Sequence, residues 1–250
     1  MSTVGQTALA VQKLTVRFGG IVALSDVDLT VRQGSRHGIL GPNGSGKTTL
    51  FNSISGLNTP ASGTISLLGS DVTRQPARNR ARMGLARTFQ ITSLFPSLTV
   101  RENVAMATRM ADNVAANWWV PASTQARANS DADSMLDALH IGRLAGRAVR
   151  SLGYGEQRQL EIAMALATRP SVLLLDEPTA GLSNAETAAL TDLVRTFPAD
   201  LTVLIIEHDL GVIFDLTDQL TVLQNGVVIA DGPSAVIRED PIVKEVYLGR

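Results

Sequence analysis

Polar and apolar positions change texture three times along the chain. In "VDLTVRQ", Val27, Leu29 and Val31 alternate with Asp28, Thr30 and Arg32, the period of a half-buried strand. The preceding apolar run, "LAVQKLTVRF", leads into Gly19-Gly20, so the two runs predict an antiparallel hairpin. "GIL" (38–40) is a short apolar strand feeding a glycine-rich loop, and "TISLLG" (64–69) is a further strand. From about residue 91, Ala, Arg, Asp and Asn dominate. Met135, Leu136 and Leu139 recur at helical spacing and Pro121 interrupts the run, which predicts a mostly helical insert over 91–165. After Pro170 the strand pattern returns. "SVLLLDE" and "LTVLIIEHD" are near-continuous apolar runs, as strands buried on both faces of a parallel sheet read. "AETAALTDLVRTF" lies between them and supplies the crossover helix of a βαβ unit. "LTVLQNGVVIADG" predicts a final hairpin turning at Asn225-Gly226. The fold class is α/β.

Composition narrows this reading without redirecting it. A chain of 250 residues can bury a full core in one large domain or two small ones. The net charge of -1 gives no basic footprint for nucleic acid. Cysteine is absent, which removes disulfides, thiolate nucleophiles and thiolate-held metals from consideration and fits a reducing compartment. The opening "MSTVGQTALAVQK" lacks the basic and apolar regions of a signal peptide. Runs such as "VLLL" and "VLII" are far too short to cross a bilayer, so a membrane role is expected to come through a partner.

The chemistry is concentrated in four short stretches. Gly41, Pro42, Asn43, Gly44, Ser45, Gly46, Lys47 and Thr48 spell G-x-x-x-x-G-K-[ST] between an apolar strand and a helix. Glycines let successive backbone N–H groups turn toward phosphate oxygens, Lys47 adds a point charge, and the Thr48 hydroxyl suits Mg²⁺. The helix beginning at Lys47 aims its positive end at the same anion. "VLLLDEP" ends a buried strand in Asp176-Glu177. In a phosphate-loop protein the first carboxylate holds Mg²⁺, usually through water, and the second is placed to orient or deprotonate an attacking water. His208 in "IIEHD" sits at another strand's C-terminal end, where α/β sites collect, and could donate to a γ-phosphate. His37 and His140 are read as structural. The fourth stretch, "SLGYGEQRQ" (151–159), opens a helix, with Gly153 where a hydroxyl donor is expected and the bulky Tyr154 beside it.

In this order and spacing the motifs resemble the ATP-binding subunit of an ABC transporter over essentially the whole chain. The resemblance implies one ABC ATPase domain, 1–250, with a P-loop NTPase (RecA-like) core, an N-terminal antiparallel β-subdomain and an inserted α-helical subdomain. Residues 1–90 and 166–250 would form the core and β-subdomain, and 91–165 the helical subdomain with the signature motif. Phe18 matches the aromatic that stacks on adenine, Gly41 to Thr49 the Walker A loop, and "RTFQ" places Gln90 at the Q-loop. Leu152, Gly153, Tyr154, Gly155 and Glu156 match the signature that reaches a partner's ATP in trans. Asp176 and Glu177 match Walker B, "AGLS" (180–183) the D-loop, and His208 the switch histidine. The implied catalytic set is Glu177, His208, Gln90 and Lys47, and Mg²⁺ would be held by Thr48, Gln90 and Asp176. Gly153 lacks the signature hydroxyl, leaving backbone N–H groups near Gly153 and Gly155 and the helix dipole. Glu156 would then have to point away from phosphate.

The finer resemblance, in "RFGG", "ARMGLARTFQ", "LFPSLTVRENV", "RQLEIAMAL", "DEPTAGL" and the terminal "VYLG", is to the ATPases of branched-chain amino acid importers, the hydrophobic amino acid uptake family. The insert around "NWWVPASTQAR" is similar to the longer of that family's two ATPases. Implied partners are a second ABC ATPase subunit, either a paralogue or another copy, two transmembrane permease subunits and, indirectly, an extracytoplasmic solute-binding protein. No nucleic acid is implied, and the implied location is the cytoplasmic face of the inner membrane. Leu94, Phe95 and Pro96 would dock the permease or else pack in the core. Trp118 and Trp119 are either buried aromatics of the helical insert, the preferred reading, or a dedicated interface. Importers of urea, amides or aromatic acids use nearly the same ATPase. Lipopolysaccharide-type exporters, non-transport ABC ATPases and regulatory ATP binders are the remaining alternatives.

Overall fold

The computed structural model describes residues 6–88, 94–111 and 122–248. In chain order, β1 (Thr7–Phe18), β2 (Ile21–Arg32) and β3 (Arg36–Leu40) precede α1 (Lys47–Ile54). Next come β4 (Ser62–Leu67), β5 (Ser70–Asp71), α2 (Ala77–Arg82) and β6 (Leu85–Arg87). Helices α3 (Val100–Ala111), α4 (Ala122–Ala138) and α5 (Tyr154–Ala167) lead to β7 (Val172–Asp176), α6 (Asn184–Arg195) and β8 (Thr202–Ile206). The chain closes with α7 (Leu210–Leu216), β9 (Gln219–Gln224), β10 (Val227–Pro233), α8 (Ser234–Ile237) and α9 (Pro241–Leu248).

Two compact units result. The first comprises Met1–Arg87, Ser171–Glu177 and Ala199–Arg250. It contains an antiparallel sheet of order β2-β1-β4-β5 and a six-stranded sheet of order β10-β9-β3-β8-β7-β6. In the latter, β6, β7, β8, β3 and β9 are parallel and β10 is antiparallel to β9. Strands β7 and β8 are buried at every position, as their unbroken apolar runs predict. Successive residues of β3 serve opposite faces. Ile39 joins Phe51, Leu174 and Leu204 in one core, while Leu40 joins Ile213, Leu220 and Val222 in another. Both sequence-read hairpins form: Phe18 pairs with Ile21 across Gly19-Gly20, and Gln224 with Val227 across Asn225-Gly226.

The second unit comprises Thr88–Pro170 and Pro178–Pro198. Helix α3 packs on α4 and α5, burying Val100, Val104, Ala132, Leu136, Leu160 and Ala163. The sequence pattern grouped 166–250 with the core, whereas here α6 joins the helical unit. The Glu186 carboxylate on α6 ties it to α5 by accepting from the Gly155 N–H at 3.2 Å.

His37 lies buried on β3, its Nε2 2.7 Å from Thr221 Oγ1, and the Thr221 hydroxyl in turn donates to Asp231. Burial pushes the imidazole down to about 4, against the opposing pull of Asp231. A histidine held neutral in the fold is charged first in the unfolded chain, so stability is present above pH ~6.5 and falls as pH drops toward ~4. Between pH 7 and 4.5 this group alone should cost about 2.5 kcal/mol. Urea unfolding midpoints of wild type and His37→Gln at both pH values measure it: the variant should lose less stability on acidification. Equal losses would remove His37 as a contributor.

Candidate functional site

The first unit gathers its functional groups at the C-terminal ends of β3, β7 and β8. Strand β3 stops at Leu40, the loop 41–46 turns, and α1 begins at Lys47. Gly46 adopts φ 106° with no room for a side chain, since a Cβ would lie 2.6 Å from Leu24 Cδ2 and 2.9 Å from Ala23 O. Only glycine fits that geometry. Lys47 curls back over the loop, donating from Nζ to Gly41 O at 2.6 Å and Pro42 O at 3.0 Å. Burial lowers its ammonium pKa, opposed by the charges of Glu177 and Asp176. Those two carboxylates thus act on Lys47 although 129 residues separate it from the nearer in sequence (176 − 47). The Ser45 hydroxyl is buried inside the loop and meets no hydrogen-bond partner among the described residues. A buried polar atom of that kind calls for an external polar ligand. Thr48, at the second helical position, is exposed.

Asp176 closes β7 in a buried ion pair. Its Oδ2 accepts from Arg87 Nη2 at 2.7 Å, and both side chains are at least nine-tenths buried. Arg87 Nη1 donates to Asn52 Oδ1 at 2.7 Å and to Ser55 Oγ at 3.0 Å, and the guanidinium lies 5.8 Å from the centre of the Phe51 ring. The next residue, Glu177, holds φ 48°, a conformation that costs a side-chain-bearing residue energy and concentrates at functional sites. Its N–H donates to Ile206 O at 2.9 Å, while its carboxylate meets His208 Nε2 at 2.6 Å. A carboxylate and an imidazole are therefore in contact at the ends of adjacent parallel strands.

The second unit carries the glycine-tyrosine stretch. Gly153 is the N-cap of α5, and its N–H donates to Glu156 Oε2 at 3.1 Å, half of a capping box. Glu156 bends back to the N-cap, where two arginines hold it. Arg147 Nη1 reaches both its oxygens at 2.9 Å and Arg143 one at 3.2 Å. The Gly155 N–H is likewise taken, by Glu186, so both backbone donors counted on for phosphate are used by the protein's own carboxylates. Glu186 also caps α6, accepting from Ser183 N–H and Oγ at 2.9 and 2.6 Å. Tyr154 is 44% exposed. Its ring stacks on Arg158 at 5.2 Å and its hydroxyl accepts from Arg158 Nη2 at 2.8 Å. Arg158 in turn pairs with Glu161 at 2.9 Å, a carboxyl pushed up by burial. Tyr154 thus covers a buried ion pair, which explains its bulk.

A family match described as ABC transporter spans residues 24–180. The chain belongs to the ABC transporter family. A second match, described as branched-chain amino acid ATP-binding cassette transporter, spans residues 227–250. The chain is 38% identical over 248 residues to the high-affinity branched-chain amino acid transport ATP-binding protein BraF of Pseudomonas aeruginosa, covering 96% of this chain and 97% of that one. It is 37% identical over 251 residues to the corresponding protein LivG of Escherichia coli K12, covering 98% of each. Among solved structures, the ADP conformation of MJ1267, an ATP-binding cassette of an ABC transporter, matches with a TM-score of 0.85 at 29% identity, covering 98% of this chain and 100% of that one.

Within this ABC cassette the sequence-read groups Lys47, Asp176, Glu177 and His208 converge in the first unit, and Leu152, Gly153, Tyr154, Gly155 and Glu156 line the start of α5 in the second. Phe18 is 51% exposed at the end of β1, an open face for a stacking ring. Phe95 is 45% exposed, so core packing does not account for it. Gln90, Trp118 and Trp119 lie outside the described residues. The sequence reading missed Arg87 and Glu186. Glu186 had a legible signal, because Ser183-x-x-Glu186 is a complete capping box. Arg87 had none, since its partner is 89 residues away.

Proposed function

We propose that this chain is the ATP-hydrolysing subunit of an ABC importer for branched-chain or related amino acids. The observation that carries the hydrolytic part is the Glu177–His208 contact beside the buried Lys47 loop. The cargo rests on the functions named for BraF and LivG and on the match over 227–250.

Phe18 offers its exposed ring to adenine. The backbone N–H groups of 43–49 and the Lys47 ammonium take the β and γ phosphates, Lys47 giving up its two loop carbonyls to do so. Hard oxygen donors suit Mg²⁺. The exposed Thr48 hydroxyl and the buried Asp176 carboxylate, with the side-chain oxygen of Gln90, are the groups that would hold it. An ion held by these groups would supply charge neutralisation at the phosphates. Glu177, fixed by its backbone bond to β8, orients or deprotonates water, and the His208 imidazole faces the γ-phosphate. Leu152 to Glu156 meet a partner cassette's ATP, which excludes water as the pair closes. Residues 91–165 act as the helical subdomain, and the exposed Phe95, with Leu94 and Pro96, docks a permease. No helix among the described residues is long and apolar enough to cross a membrane. On this reading, which the relatives' functions support, attachment to the cytoplasmic face runs through two permease subunits, fed by a solute-binding protein.

Co-purification from native membranes tests this reading. Two permeases and an amino-acid-binding protein should accompany the chain. Salt-sensitive nucleic-acid binding without membrane proteins would overturn it. The signature has its own test. At Gly153, φ -66° and ψ 165° accept any residue, and an added Cβ meets nothing within 4 Å among the described residues. Gly153→Ser should therefore fold normally, complete the α5 capping box and donate to the partner's γ-phosphate. ATP-driven pairing should strengthen roughly tenfold, read by sedimentation. Unchanged pairing would mean that the missing hydroxyl was never limiting.

A further inference from the structure

The Arg87–Asp176 pair needs an explanation other than stability. A buried ion pair is weak evidence for stability, because desolvating two charges offsets their attraction and an apolar pair often serves as well. Here the pair stands at the catalytic end of β7, and the guanidinium is not free to wander. It is held by Asn52 Oδ1 and Ser55 Oγ, at and just beyond the end of α1, and it faces the Phe51 ring. The first turn of that same helix carries Lys47 and Thr48. A planar fork can serve Asp176, Asn52 and Ser55 together. A lysine's point charge cannot reproduce that arrangement.

We infer that Arg87 is a positioning residue that fixes the Asp176 carboxylate against α1, so that the carboxylate and Thr48 keep a constant spacing for Mg²⁺. This rests on the proposed reading of Asp176 as a Mg²⁺-holding group. On this inference Arg87 acts through Asp176 and not by contact with nucleotide or metal. Its effect should therefore appear in the metal-dependent part of nucleotide binding and be absent from the metal-free part.

The test uses the full chain and a fluorescent ADP, so that binding is read without turnover. Arg87→Met should raise the Mg²⁺ concentration for half-maximal tightening about tenfold, the scale for losing an outer-shell partner of a metal ligand. ADP affinity in EDTA should stay within about twofold. Asp176→Asn should weaken the Mg²⁺ response by itself, and adding Arg87→Met to it should do no more, because coupled residues are not additive. Should Arg87→Met fail to fold, Asn52→Ala removes one anchor and keeps the ion pair, and is expected to shift the Mg²⁺ response in the same direction by a smaller factor. Arg87→Lys should rescue only in part. An Arg87→Met chain with a lowered unfolding midpoint but an unchanged Mg²⁺ response would reduce Arg87 to a structural residue and overturn the inference. An unchanged response in Asp176→Asn would instead overturn the underlying reading of Asp176.

Discussion

Glu177→Gln is expected to lower ATP turnover by about two to four orders of magnitude, the range for losing a positioned general base, while ATP binding persists. The geometry makes the substitution clean. Glu177 is pinned by its N–H to Ile206 O at 2.9 Å and by its φ of 48°, so the backbone holds its position whichever side chain it carries. Glutamine matches glutamate in shape and keeps one oxygen toward His208, now 2.6 Å from Glu177 Oε1, but it cannot take a proton from water. Lys47 lies on the other loop of the site and still binds phosphate. Its ammonium loses one of the two carboxylate charges that support it, and Asp176 remains. ATP should therefore hold two cassettes together without being consumed. Single-turnover phosphate release, paired with sedimentation in ATP and ADP, reads both halves. Wild-type turnover in the variant would take Glu177 out of the chemistry. Lost turnover without an ATP-held pair would separate the base from the pairing mechanism.

The parts of the fold and site that were legible in the sequence are those written in consecutive residues. β7 and β8 were readable because burial on both faces leaves an unbroken apolar run. The loop 41–48 was readable because its φ requirements and its lysine are local. β6 was not: three residues, Leu85–Arg87, are too few to show a period. Helix α7 was missed as well, although Asp209 caps it through Val212 N–H at 3.1 Å, because seven residues make only about two turns, too short a run to show a helical period. In the site, the identity of Asp176 was legible but its Arg87 partner was not, since pairing across parallel strands leaves no sequence trace. The reading of Gly153 and Gly155 as open phosphate donors lacked Glu156 and Glu186. Glu156 is three residues along in the same motif, while Glu186 reaches Gly155 only through tertiary packing.

The largest stability loss is expected at Arg80, far from the chemistry. The side chain is 1% exposed and hydrogen-bonds to carbonyls, with the Asp71 charge acting on it as well. Nη1 donates to Ser53 O at 2.6 Å and Ile54 O at 2.7 Å, Nε to Gln75 O at 2.9 Å, and Nη2 to Thr73 O at 3.1 Å. Ser53 and Ile54 end α1, where carbonyls lack helical donors and the helix's partial negative charge collects. One buried cation therefore caps the helix and ties it to the chain around Thr73 and Gln75. Burial lowers its pKa, but a guanidinium starts so high that it stays charged. Arg80→Met fills similar space and strands the carbonyls of Ile54, Thr73 and Gln75, while Ser53 O keeps the Gly56 N–H at 3.2 Å. At about 1–3 kcal/mol for each buried unsatisfied group, partly relieved by water, the loss should be about 3–5 kcal/mol, or roughly 10 °C in a chain of this size. Arg80→Lys should recover less than half, since one ammonium cannot span all four carbonyls. Urea unfolding without nucleotide measures the loss, and the denaturant slope should be unchanged. A loss under about 1 kcal/mol would mean that water caps α1 as well as arginine does. Because α1 begins at Lys47, a large loss should also weaken ADP binding, through a helix no longer held at its far end.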